Sequence, residues 1–214
     1  MAALEIPTLV GFREKKFNIR HAQQVTPVGT NGFLQTINRT SPFWAAEFET
    51  KPLTGDAYDD AIVFLDALEG SMNTFLGYDP RRIMPKAYYG QVEGSNPWGA
   101  TPRITAQSYS ASTINLDQMT NGAIITKGDY ISVKIDNIWY LFRAMQNHTV
   151  SGTTVTGLLV KPRPNIANFA TTAIRYQRAV AEMKLIGEYE EDDSVESFPV
   201  FRFRAGQYIN RVPA

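Results

Sequence analysis

Residues able to perform catalytic chemistry are few and isolated in this chain. It contains no cysteine, which removes disulfides, thiol catalysis and cysteine-based zinc or iron sites. The two histidines, His21 and His148, have no second metal ligand at helical or hairpin spacing, and neither belongs to a nucleophile motif. No glycine-rich phosphate-binding loop is present. The sequence therefore predicts no catalytic residue, cofactor or metal site, and no enzymatic activity.

Carboxylates are the most abundant side chains that could take part in acid–base catalysis. They are densest at Asp59-Asp60 and at Glu190-Glu191-Asp192-Asp193. The first pair falls at the start of a predicted helix, where the helix dipole favours negative charge. The second group lies in an acidic segment, Glu188 to Glu196, and charge runs of this kind are usually solvated loops. The paired carboxylates of a glycosidase lie far apart in sequence, so a cell-wall hydrolase stays open as an alternative.

Composition argues against a nucleic-acid-binding or membrane protein. The formal net charge is zero, with 21 basic and 21 acidic residues, whereas proteins that bind nucleic-acid phosphates usually carry a basic excess. Four central aromatic residues are candidates for base stacking, but we favour core and interface roles for them: Tyr88, Tyr89, Trp98 and Trp139. The first seven residues do not resemble a secretion signal, and no apolar run approaches the ~20 residues of a membrane helix.

The sequence pattern predicts a predominantly β chain with one strong helix. Short strands are predicted at 17–21 and 33–38, and residues 43–50 alternate, with Glu47 and Glu49 on the polar face. The helix is expected at about 55–69, with Thr54 as its cap and Gly70 as its stop. Its apolar residues recur at spacings of three and four: Tyr58, Ala61, Ile62, Leu65 and Leu68. We expect Tyr58, Ile62 and Leu65 to be buried against a sheet.

The second half of the chain is predicted to be almost entirely β. Residues 130–135 and 138–144 flank the two-residue turn signal Asp136-Asn137, and a third strand follows at 153–160, which together indicate a meander. Strands at 179–186 and 199–204 resemble the strand at 43–50. The simplest architecture is one β-domain built from residues 1–80 and 166–214, with a smaller β-barrel domain inserted at residues 81–165.

The order of several short motifs resembles one family. Phe43-Trp44-Ala45-Ala46-Glu47-Phe48 precedes the helix, and Thr74-Phe75-Leu76-Gly77-Tyr78-Asp79-Pro80 follows it. Ile125-Thr126-Lys127-Gly128-Asp129-Tyr130-Ile131 then opens the meander, which ends at Val160-Lys161-Pro162-Arg163-Pro164. This order, over residues 40–210, is similar to that of the distal tail proteins of long-tailed bacteriophages and phage-like gene transfer particles.

The resemblance implies a structural virion protein at the tip of a phage tail, assembled in the bacterial cytoplasm. The implied fold is a tube-type β-barrel or sandwich belt domain with an inserted, small oligonucleotide-binding-like β-barrel. Subunits would form a ring, commonly a hexamer, that joins the tail tube protein to the hub protein of the baseplate, with DNA only as cargo in the lumen. Two alternatives remain open besides the hydrolase: a tail tube or tube-terminator protein, and a carbohydrate-binding tail module for the cell surface.

A ring requires each subunit to present two different surfaces to its neighbours. We expect the polar faces of the belt strands to line a wet lumen, with these residues: Glu47, Glu49, Glu182, Lys184, Arg202 and Arg204. The acidic segment is a candidate for the contact between subunits, through Glu190, Glu191, Asp192 and Asp193. Its expected partners on the next subunit are Arg81 and Arg82, or alternatively Arg175 and Arg178. The competing interpretation of the acidic segment is a solvated loop.

Overall fold

The computed structural model describes residues 3–7, 10–21, 23–28, 33–38, 41–166, 171–192 and 198–208. Within these ranges the chain is mainly β, with one α-helix and one short 3-10 helix, as expected from the sequence. The helices are α1 (Asp56–Ala67) and the 3-10 turn Lys86–Tyr88. The strands are β1 (Leu4–Glu5), β2 (Phe12–Arg20), β3 (Gln23–Val28), β4 (Phe33–Asn38), β5 (Phe43–Thr50), β6 (Phe75–Tyr78), β7 (Arg103–Ser108), β8 (Thr113–Asp117), β9 (Ile124–Ile125), β10 (Tyr130–Ile135), β11 (Ile138–Ala144), β12 (His148–Thr149), β13 (Val155–Lys161), β14 (Thr172–Arg175), β15 (Val180–Leu185), β16 (Glu190–Asp192) and β17 (Val200–Gln207).

The two ends of the chain meet in one sheet of order β1-β6-β15-β17-β5-β2, with β16 also paired to β17. The alternation predicted for β5 and β17 is confirmed, because Phe48 and Phe203 face each other across the two strands and are both buried. Two close ring contacts, Phe48 to Phe203 and Phe75 to Phe203, tie three strands into one aromatic core. An added Cβ at Gly77 would lie 2.5 Å from Sδ of Met183 on the next strand, so a larger residue here would force this methionine to move.

Helix α1 covers the apolar face of this sheet. Leu65 is buried as predicted, whereas Tyr58 and Ile62 are only partly buried against the same core. Phe64, which lay outside the predicted stripe, is also buried and packs edge-on against Phe75. The prediction that Thr54 caps the helix is wrong. The N-cap residue is Gly55, with φ of 52°, and no side chain caps the helix. A positive φ is accessible to glycine at little cost, so backbone geometry rather than a hydroxyl sets the start of the helix.

The central part of the chain forms a closed barrel of order β10-β11-β13-β8-β7-β14. The predicted meander is present as β10, β11 and β13, and its two-residue turn has positive φ at both Asp136 and Asn137. Positive φ at both positions defines the turn type that matches the natural twist of a hairpin. The sixth strand, β14, follows residue 165, where the inserted segment was expected to end. The core of the barrel draws on residues between Trp98 and Tyr176.

The chain leaves the sheet for the barrel and returns to it at adjacent positions. Tyr78, at the end of β6, pairs with Val180, at the start of β15. Such proximity of the two crossing points is the geometry that allows a domain to be inserted into another. Within the described residues, no helix is long and apolar enough to cross a membrane.

Candidate assembly surface

The face of the sheet opposite α1 carries charged side chains arranged in cross-strand rows, which we call the charged face. In one row Lys16 Nζ lies 3.5 Å from Glu47 Oε2, and Arg204 occupies the pairing position on the other side of Glu47. In the next row Arg202 Nε lies 2.9 Å from Glu49 Oε2. The hydrogen bond and charge of Glu49 raise the pKa of Arg202 above its ordinary value. Opposite charges directly across strands stabilise the pairing register.

One of the expected lumen residues is buried, unlike the others. Glu182 is only 5% exposed, contrary to the expectation of a wet side chain. Its carboxylate accepts hydrogen bonds from Thr74 Oγ1 at 2.8 Å and from the Trp139 backbone N–H at 3.2 Å. Glu182 therefore links the sheet to the β10–β11 hairpin of the barrel. Lys184 is half-buried, with Nζ 4.9 Å from the ring centre of Tyr208.

The acidic segment is partly ordered as a strand rather than a loop. Glu190, Glu191 and Asp192 form β16, which pairs antiparallel with β17 and places Glu190 opposite Arg202. Asp192 Oδ2 lies 3.1 Å from Arg202 Nη1 on the charged face, whereas Glu191 Oε1 accepts a 3.0 Å hydrogen bond from Tyr58 on the helix side. Asp193 lies outside the described residues. The interpretation as a loop is thus wrong for these three residues, whereas the side chains of Glu190 and Glu191 are exposed, as expected for a solvated segment.

The arginines proposed as partners of the acidic segment all have neighbours within their own chain. Arg81 and Arg82 flank the buried carboxylate of Asp79, at 3.5 and 3.7 Å, and Arg82 donates to the Gly128 carbonyl at 2.7 Å. Arg175 lies over the ring of Trp139. Arg178 lies 3.0 Å from Glu93. The structure therefore brings Arg81 and Arg82 to the sheet–barrel junction and places Glu190 to Asp192 elsewhere, beside Arg202.

The sequence analysis missed two buried aspartates that organise this junction. Asp79 is 2% exposed and is bracketed by Arg81, Arg82 and the hydroxyl of Tyr130. Asp129 is 3% exposed and accepts 2.7 Å hydrogen bonds from the backbone N–H groups of Lys86 and Thr126. Burial raises the pKa of Asp129, and the two N–H donors oppose that effect in part. The sequence signal that could have identified them is their place in two motifs: Asp79 precedes Pro80, and Asp129 lies between Gly128 and Tyr130.

The aromatic residues considered for base stacking do not form a common exposed surface. Trp98 is fully buried and stacks on Tyr176, with ring centres 4.8 Å apart. The hydroxyl of Tyr88 accepts a hydrogen bond from the Ile124 N–H, and Tyr89 is exposed. Trp139 packs against Arg175. Their arrangement favours structural roles over nucleic-acid stacking.

The described part of the chain contains no group of three or more metal-ligating side chains. His21 is exposed and His148 is half-buried in β12, where it pairs with Ile125 of β9. His21 lies in the connection after β2 and His148 lies in β12, and neither belongs to a group of metal-ligating side chains among the described residues.

Three strands of the sheet are paired on one side only. Among the described residues, β1 is hydrogen-bonded to β6 alone, β2 to β5 alone, and β16, which branches from the main order, to β17 alone. A strand edge of this kind offers backbone N–H and C=O groups to another chain. No protein-family model matches the chain, and no curated protein matches it significantly.

Proposed function

We propose that this chain is a structural virion protein that forms a ring at the distal end of a phage tail, joining the tail tube to the hub of the baseplate. The observation that carries the proposal is the sheet itself. One of its faces is closed by α1, the other is charged, and its nine-residue strand β2 pairs on one side only. A soluble protein normally shields a long edge strand, and assembly with a second copy is one way to do so.

The place of the ring in a phage tail rests on the resemblance of the motifs. In the fold the first three of these motifs meet at Tyr130, whose ring centre lies 5.4 Å from that of Trp44, which supports treating them as one unit. Trp44 of the first motif donates through Nε1 to the Leu141 carbonyl at 2.7 Å. Asp79 of the second accepts from Tyr130 of the third. Residues far apart in sequence thus connect the barrel to the sheet.

The proposed partners follow from this position. The chain pairs with itself, commonly as a hexamer, and contacts the tail tube protein on one side and the hub protein on the other. DNA crosses the lumen only as cargo. The mature location is the tail tip of the virion, with the host cytoplasm as the site of assembly, and the role is structural rather than enzymatic.

Native mass spectrometry and negative-stain electron microscopy of the purified protein test this function. We expect a closed ring of defined mass with a central opening. Growth into long filaments would favour a tail tube protein instead. A monomer at high micromolar concentration would contradict both and favour a carbohydrate-binding module, which a binding assay against host polysaccharide would then examine.

A further inference from the structure

The part of the sheet formed by β16, β17, β5 and β2 has two different outer strands. Each neighbouring pair in this group is antiparallel, so β16 and β2 run in opposite directions. When copies are related by rotation about a ring axis, β16 of one copy meets β2 of the next in antiparallel orientation. This is the orientation in which strands form closely spaced, perpendicular hydrogen bonds.

The two outer strands carry opposite charge. All three residues of β16 are acidic, and Glu188, shortly before them, is exposed. By sequence, β2 contains a single acid, Glu14, and these bases: Arg13, Lys15, Lys16 and Arg20. Lys16 and Arg20 are exposed on the charged face of the sheet. This four-stranded part of the sheet thus has an acidic outer strand on one side and, by sequence, a mainly basic outer strand on the other.

We propose that β16 of one copy pairs with β2 of the next copy, and that the charge difference makes this contact head-to-tail. The inference rests on the proposed function, because it names the surfaces that close the ring. Pairing β2 with β2, or β16 with β16, would place like charges opposite each other, which destabilises a sheet. Two-fold dimers through either edge are therefore disfavoured, and the remaining contact is heterologous, which can close into a ring.

The short length of β16 gives its charges a further role. Three residues against the nine of β2 form few ladder bonds, so backbone pairing alone specifies the register weakly. Complementary charges along both strands then select one register and speed productive encounter. This assigns the acidic segment to the β2 edge of the neighbour, in place of the arginines at the junction.

Reversing the charge of one edge at a time provides the main test. Variant one carries Lys16→Glu and Arg20→Glu, and variant two carries Glu188→Lys, Glu190→Lys and Glu191→Lys. We expect each variant alone to raise the concentration needed for ring formation by about tenfold or more, because each now opposes like charges. Mixed in equal amounts, the two variants should form rings in which they alternate, because both contacts then join opposite charges.

Charge reversals of the same sign at exposed sites away from both edges are the control. Asp66→Lys on α1 and Lys134→Glu on the barrel should leave ring formation unchanged. Rings in both edge variants at wild-type concentrations, or no recovery on mixing, would overturn the edge pairing while leaving the ring function intact. A wild-type protein that never forms rings would overturn the proposed function and this contact with it.

Crosslinking gives a second measurement that does not depend on charge reversal. Because the chain contains no cysteine, cysteines introduced at the exposed residues Asn18 and Glu190 are the only thiols present. With a short bis-maleimide, the double variant should form a ladder of covalent oligomers, whereas each single variant should stay uncrosslinked. Covalent dimers from either single variant would show a two-fold contact and refute the head-to-tail arrangement.

Discussion

At the scale of single residues, buried charge decides how the two parts of the molecule meet. Asp79 and Asp129 are almost inaccessible, yet each is compensated, the first by Arg81 and Arg82 and the second by two backbone N–H groups. Burying a carboxylate without such partners would be strongly unfavourable. These residues therefore hold the start of the barrel strand β10 against the turn that follows β6.

The raised pKa of Asp129 gives a pH dependence with a defined sign. The folded state binds the proton more tightly than the unfolded state, so the free energy of unfolding falls as pH rises from about 3.8 through the raised value. Asn at this position does not titrate. We expect the stability of the wild type relative to Asp129→Asn to decline over that interval and to stay level above it.

Urea unfolding of both proteins across mildly acidic pH measures this difference. The exposed Asp66→Asn variant serves as the control and should track the wild type. A relative stability that increases with pH would mean that the two N–H donors outweigh burial, and that the pKa is lowered instead.

Leu65 tests the packing of α1 on the sheet. It is 3% exposed within the aromatic core, whereas Val63, two residues earlier, is 67% exposed. We expect Leu65→Ala to lower the free energy of unfolding by about 2–5 kcal/mol through cavity formation. Val63→Ala should change it by less than about 0.5 kcal/mol. Equal effects in chemical denaturation would show that the helix packs through a different face.

At the scale of elements, the barrel is closed by a strand that lies late in the sequence. β14 bridges β10 and β7, and Ile174 and Tyr176, in and just after it, contribute to the barrel core. The sheet in turn depends on the barrel, since Tyr130 and Leu141 belong to the core around Trp44. The inserted segment thus contributes residues to the core of the sheet and also has a barrel core of its own.

Two fragments differing only in β14 test where the barrel unit ends. A fragment of residues 81–178 keeps all six barrel strands and should unfold cooperatively. A fragment of residues 81–165 lacks β14, exposes the edges of β10 and β7, and should aggregate or remain partly unfolded. Thermal unfolding and hydrogen exchange distinguish the two. A cooperative transition in the shorter fragment would show that β14 is dispensable.

At the scale of the whole molecule, charges that sum to zero are distributed unevenly. Negative charge concentrates in β16 and, by sequence, positive charge in β2, the two outer strands of the β16-β17-β5-β2 part of the sheet. A uniform distribution would give neighbouring copies no preferred edge. Under the proposed edge pairing, this asymmetry favours head-to-tail contact over two-fold contact.

Ring stability should therefore depend on salt. Exposed charges are screened beyond about 10 Å at 0.1 M ionic strength. We therefore expect the protein concentration needed for wild-type ring formation to rise as salt is added. The Lys16→Glu, Arg20→Glu variant should respond in the opposite sense, because salt relieves the repulsion between its two acidic edges. Oligomer mass measured against salt for both proteins checks this. Wild-type rings that strengthen with salt would indicate an apolar contact.

The sequence by itself determined those features that depend on neighbouring residues. The alternation of β5 and β17, the turn at Asp136-Asn137 and the helical position of Leu65 all follow from local periodicity and backbone preference. These patterns have fixed periods, because side chains alternate along a strand and recur every three to four residues in a helix. The mainly β fold with one helix was predictable for that reason.

Only the tertiary structure decided which elements meet. Glu182 is buried because Thr74 and Trp139, 108 and 43 residues away in sequence, converge on its carboxylate. The acidic segment becomes strand β16 because β17 pairs with it, and β14 joins the barrel because β10 and β7 lie on either side of it. Such pairings are set by contacts between distant segments, and no periodicity along the chain records them.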